Sequence, residues 1–154
     1  MTSRSVTHTT FSIDRAFPVP PSQVFRAFAD PERKQRWFAP PADWVGRHHS
    51  MEFRPGGRET NRGGPPGGPV HRFEARYHQI VDDERIVYSY DLFLDEQQMS
   101  VSLATIELRP ADAGTAMTFT EQGAFFDGID DPAGREEGTR LLLAALAESL
   151  VDLS

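Results

Sequence analysis

Apolar and polar positions alternate through most of this chain, and the period changes only near its two ends. From Thr7 to Pro18 (THTTFSIDRAFP), Phe11, Ile13 and Phe17 mark one face of a half-buried strand. Val19-Pro20-Pro21-Ser22 ends it, with Ser22 as a candidate N-cap for a helix over 23–30. Val24, Phe25 and Phe28 give that helix an apolar stripe. Pro31 breaks it after Asp30, and a second short helix over Glu32–Phe38 carries Trp37 and Phe38 on one side. Period two returns from Trp44 to Arg54, where Met51 and Phe53 share a face.

Residues 55–69 (PGGRETNRGGPPGGP) contain ten Gly or Pro in 15 positions and predict a loop within the domain. Strands are then expected over His71–Val81, Arg85–Leu94, Met99–Arg109 and Thr115–Phe125, joined by short polar turns. Phe73, Ala75 and Tyr77 mark one face of the first, and Ile86, Tyr88, Tyr90 and Leu92 one face of the second. Asp131-Pro132 supplies an N-cap and a favourable first residue for a closing helix over Arg135–Leu153. Its apolar stripe is Leu142, Leu143, Leu146, Leu150 and Leu153. The order predicts one α+β domain over 1–154. A curved antiparallel sheet of about six to seven strands wraps a long C-terminal helix, and two short helices follow the first strand. Such a helix grip leaves room for a cavity between helix and sheet.

Composition narrows the function. With 154 residues, 38% hydrophobic and 25% charged, the chain fits one ordinary soluble domain. No run approaches 18 apolar residues, and Met1–Thr10 lacks an apolar signal core, so membrane insertion and secretion are not expected. There are no cysteines, which removes thiolate chemistry and suits a cytoplasmic setting. A net charge of -7 argues against a nucleic-acid partner. Fifteen of the 16 basic residues are Arg, and only Lys34 is Lys.

The order of elements and several motifs resemble the START-like, Bet v 1-like superfamily (SRPBCC). Within it the chain is similar to the branch of the activator of Hsp90 ATPase homologue (AHSA1) and the calicheamicin-resistance protein CalC. The matching stretches are VFRAFADPERKQRWF (24–38), RPGGR (54–58), DERIVYSYD (83–91), IELRPADAGTAMTFTEQG (106–123) and the last helix after a Gly. That family often has Gly-Trp near the start of this helix, whereas here Gly138 precedes Thr139. The resemblance implies a helix-grip fold that encloses a small hydrophobic or aromatic molecule. It also brings two alternatives, an enzyme of polyketide cyclase or hydrolase type, and an Hsp90-type co-chaperone built from the family domain alone.

Trp37, Phe38, Trp44, Phe53, Tyr77, Tyr88, Tyr90 and Phe119, with Leu142 and Leu146 from the helix, are the expected pocket set. Each of them also reads as plain core. Glu121 continues the face of Met117 and Phe119. It either points into the cavity as a ligand anchor or proton donor, or lies beyond the core in water. Ser100 and Ser102 share the Ile106 face and are candidate polar groups. Catalysis would have to draw on Glu121, Tyr88 or His71.

His48, His49, His71 and His78 show no metal-ligand spacing, and adjacent His48 and His49 would face opposite ways on a strand. Asp82, Asp83 and Glu84 read as a solvated turn, and the acids between Asp127 and Asp131 lack the calcium-loop pattern. No metal and no cofactor are expected. An exposed strand edge would suit a homodimer.

Overall fold

The computed structural model of the chain describes residues 4–151. Seven strands form a single antiparallel sheet in the order β1-β7-β6-β5-β4-β3-β2. They are β1 (Val6–Phe17), β2 (Val45–Met51), β3 (Arg58–Gly64), β4 (His71–Val81), β5 (Arg85–Leu94), β6 (Gln97–Ala111) and β7 (Gly114–Phe126). Helices α1 (Pro21–Ala29) and α2 (Pro31–Phe38) follow β1, and α3 (Pro132–Val151) closes the chain. This is the α+β helix-grip architecture that the pattern predicts. Among the described residues, no helix is long and apolar enough to cross a membrane.

Alternation sets the register. On β7, Thr115, Met117, Phe119 and Glu121 are buried. On β6, Ser100, Ser102, Ala104, Ile106 and Leu108 are buried, and Ile106 pairs with Phe119. Of these, Ala104, Ile106, Leu108, Met117 and Phe119 meet Leu143, Leu146 and Leu150 of α3 in one core with Ile13, Phe17 and Phe28. The predicted stripe of α3 thus packs inward, with Leu142 half-buried at its margin; Leu153 lies outside the described residues. The turn into β7 needs glycine. Gly114 has φ 142°, and a Cβ there would lie 2.3 Å from the carbonyl oxygen of Phe17.

Two expectations are corrected. Helix α1 begins two residues early, at Pro21, with Pro20 at the N-cap position and no side-chain cap, so Ser22 sits inside the first turn. Proline's fixed φ starts the helix without one. The larger correction is the loop over 55–69, which contains strand β3. Glu59 pairs with Met51 on β2 and with Ala75 on β4, and Asn61 pairs with His49 and Phe73. Its prolines, Pro55, Pro65, Pro66 and Pro69, all fall outside the strand, where a missing N–H costs no ladder bond. The inward positions of β3 are Glu59, Asn61 and Gly63, so no apolar alternation marks it.

Gly138, in the middle of α3, is a further departure from helix preference. A Cβ there would meet nothing within 4 Å. Gly138→Ala is therefore expected to stabilise the fold by about 1 kcal/mol. Differential scanning calorimetry should show a rise in Tm of roughly 2–4 °C.

Candidate ligand cavity

A cavity of about 380 Å³ lies between the N-terminal half of α3 and the sheet. Helix α2 supplies Lys34, Trp37 and Phe38 to its wall, and the following segment adds Pro40, Pro41 and Trp44. The sheet contributes Phe73 from β4, Tyr88, Tyr90 and Leu92 from β5, and Phe119 and Glu121 from β7. Helix α3 closes it with Gly134, Arg135, Gly138, Thr139, Leu142 and Leu143. The rings meet edge to face, with Phe38 5.0 Å from Phe73 and Trp37 5.6 Å from Phe38 between centroids. Trp44 stacks on His71 at 4.7 Å, and both border the cavity. The indole N–H of Trp37 donates to the Ala27 carbonyl at 3.0 Å, which ties α2 to α1.

One polar cluster sits at the α3 side. Glu121 is 1% exposed. Its Oε2 accepts from the Tyr90 hydroxyl at 2.8 Å and from Ser102 at 2.9 Å. The Arg135 guanidinium lies 3.4 Å from the same oxygen. Arg135 also donates to Tyr90 (3.0 Å), Ser100 (2.8 Å) and Asp130 (2.6 Å). The Asp131 side chain accepts from the Ala133 N–H at 3.2 Å, capping the start of α3 as expected and setting Arg135 at its first turn. Oε1 of Glu121 is buried and has no hydrogen-bond partner among the described residues.

A second cluster joins α2 to β3. Lys34, 4% exposed, donates to Oε1 of Glu59 at 2.5 Å, and the Tyr77 hydroxyl donates to the same oxygen at 2.5 Å. His49 bonds Oε2 at 2.9 Å. Burial by itself pushes the Glu59 carboxyl up, but the Lys34 charge and the bonds from His49, Lys34 and Tyr77 outweigh it and hold it at about 2. The Asn61 amide donates to the Phe38 carbonyl at 3.0 Å and fastens the end of α2 to β3.

Burial raises the phenol of Tyr88 well above its ordinary value, and the neighbouring Tyr90, Glu121 and Glu59 push it the same way. Burial likewise raises Tyr90, with Glu121 adding and Arg135 opposing. Near neutral pH both tyrosines are protonated and offer donors, so neither serves as a base.

The cavity thus gathers Trp37, Phe38, Trp44, Tyr88, Tyr90, Phe119, Glu121 and Leu142 from the expected set. Three others belong elsewhere. Phe53 lies past the end of β2 and packs on Phe25 and Tyr77 at 5.6 and 5.0 Å. Tyr77 is buried behind the wall with its hydroxyl on Glu59. Leu146 points into the fully buried core, one helical turn beyond Leu142. Glu121 is inside, not wet, because β7 keeps its register past Phe119. Ser100 and Ser102 reach the site indirectly, through Arg135 and Glu121.

The histidines separate as strand geometry requires. His48 is exposed, His49 turns inward to Glu59, and His78 bonds Ser89 on the outer face. Among the described residues, no three His, Cys, Asp or Glu side chains converge as a metal site would need.

Lys34, Glu59, Asn61, Phe73 and Arg135 were not legible as site residues. One signal was available: Lys34, Trp37 and Phe38 stand at i, i+3 and i+4, which puts the only lysine of the chain on an apolar helix face. Nothing comparable marks Glu59 within its Gly-rich surroundings.

A curved sheet gripping a terminal helix around an aromatic-walled cavity defines a helix-grip protein of the SRPBCC type. The model of the activator of Hsp90 ATPase homolog 1-like family (AHSA1) matches residues 18–151, and the chain belongs to that family. Among solved structures, it is similar to an uncharacterised protein from Rhizobium leguminosarum at 39% identity. That alignment covers 98% of this chain and 99% of the other, with a TM-score of 0.92. A protein from Rhizobium loti is 50% identical over 94% of this chain and 99% of its own, with a TM-score of 0.87. One from Chromobacterium violaceum is 28% identical over 91% and 96%, with a TM-score of 0.69. No curated protein matches the chain.

Proposed function

We propose that this chain binds a small, largely apolar aromatic molecule between α3 and the sheet. The observation that carries this reading is the cavity of about 380 Å³ bordered by eight Phe, Trp and Tyr side chains. Its volume falls in the range of small-molecule sites, and polar groups from α2, β3, β4, β7 and α3 are set among its apolar wall. The family fold supports the same class of function.

The test uses N-phenyl-1-naphthylamine, a neutral aromatic probe whose fluorescence rises on leaving water. Saturable binding at one probe per chain is expected. Gly138→Phe places a ring in the open space beside Gly138, which borders the cavity. The variant should remain folded and bind the probe at least about tenfold more weakly, a loss of about 1.4 kcal/mol. Absence of binding to the unmodified protein, or equal binding to a folded Gly138→Phe protein, would overturn the reading.

A further inference from the structure

We infer that the molecule held in this cavity carries a hydroxyl group on an aromatic ring, and that this hydroxyl donates a hydrogen bond to Oε1 of Glu121. The inference rests on the proposed function and specifies its ligand. Glu121 borders the cavity and is buried, yet its two oxygens are treated differently. Oε2 faces the Tyr90 hydroxyl, the Ser102 hydroxyl and the Arg135 guanidinium. Oε1 has no partner among the described residues. A buried acceptor left unmatched is costly, and more so on a carboxylate. A donor brought by a ligand satisfies it.

The surroundings select the donor. Arg135 already stands beside the carboxylate, and Lys34, Arg62 and Arg72 also line the cavity, so a cationic head would meet four cations. An anionic head placed at Oε1 would meet the Glu121 carboxylate itself, with Asp130 also on the cavity wall. A neutral hydroxyl avoids both repulsions. The rings of Phe38, Phe73, Tyr88, Tyr90 and Phe119 around the cavity suit a flat aromatic body, and a phenolic O–H is a ready donor.

The probes are 2-naphthol and 2-methoxynaphthalene, which differ by methylation of the one donor. Calorimetric titration of the unmodified protein at neutral pH should show 2-naphthol binding about tenfold or more tightly, the scale of a hydrogen bond to a charged group. In Glu121→Gln the amide oxygen is needed by Tyr90, Ser102 and Arg135, so the amide N–H₂ takes the place of Oε1 and turns a donor toward the cavity. The preference should then vanish or invert toward the methyl ether. Equal affinity of both probes for the unmodified protein would overturn the hydroxyl assignment while leaving the cavity reading intact, as would a water already seated at Oε1. A preference that persists in Glu121→Gln would move the acceptor elsewhere and overturn the role of Glu121. If neither probe binds, the cavity reading falls, and this inference with it.

Discussion

Replacing Glu59 by leucine is expected to destabilise the fold by about 3–5 kcal/mol in urea denaturation, the scale of breaking a buried ion pair from one side. Lys34, 4% exposed and facing the ring of Phe38 at 4.7 Å, would be left without its carboxylate partner. The Tyr77 hydroxyl and His49 would each lose the same acceptor. The double variant Lys34→Met/Glu59→Leu should recover much of the loss, because it removes both charges together. A double variant as unstable as Glu59→Leu would show that packing, not charge, is what Glu59 supplies.

The same carboxyl predicts an acid limb. Its pKa is lowered on folding from 4.5 to about 2, so the unfolded chain binds its proton first as pH falls. The stabilisation is therefore complete above about 4.5 and is lost progressively as pH drops toward 2. A shift of this size corresponds to a few kcal/mol at most. The urea midpoint of the unmodified protein should fall through this window, and that of the double variant should fall less.

The second large effect is expected at Arg135. Arg135→Met keeps an apolar stem against Phe125, whose ring centroid is 4.8 Å from the guanidinium carbon. It removes the only cation within hydrogen-bonding distance of Glu121 among the described residues. The carboxylate, 1% exposed, would be left with hydroxyl donors alone, and Asp130 and Ser100 would lose their bonds. A loss of about 3–5 kcal/mol is expected by denaturation. Adding Glu121→Gln should restore part of it, since a neutral amide needs no counter-charge. If Arg135→Met costs less than about 1 kcal/mol, the cluster is solvated in a way that its burial does not show.

The two predictions share a physical basis. Each cluster joins polar groups on two elements that are distant along the chain. Lys34 rides on α2, whose apolar face is evident, but its partner sits on β3, which has no apolar alternation. Arg135 opens α3, whose leucine stripe is evident, while Glu121 sits four residues from the last buried methionine of β7. Local periodicity reports which face of an element is apolar. It does not report which polar groups on two distant elements will meet.

By itself the sequence determined the class of fold, the order of its elements, the inward faces of β4 to β7 and of α3, and most of the aromatic wall. These follow from side-chain periodicity, which any amphipathic element must obey to bury one side. Only the tertiary structure decided that residues 58–64 form a strand, because that strand is held by its neighbours' backbone bonds and not by an apolar face of its own. Only it decided that Phe53 and Tyr77 are core and not cavity, since both depend on where β2 ends and how α1 covers it. It alone placed Glu59 against Lys34 and Glu121 against Arg135. Pairings across 25 and 14 residues arise from the closing of the sheet around the helix, and local sequence carries no record of that closure.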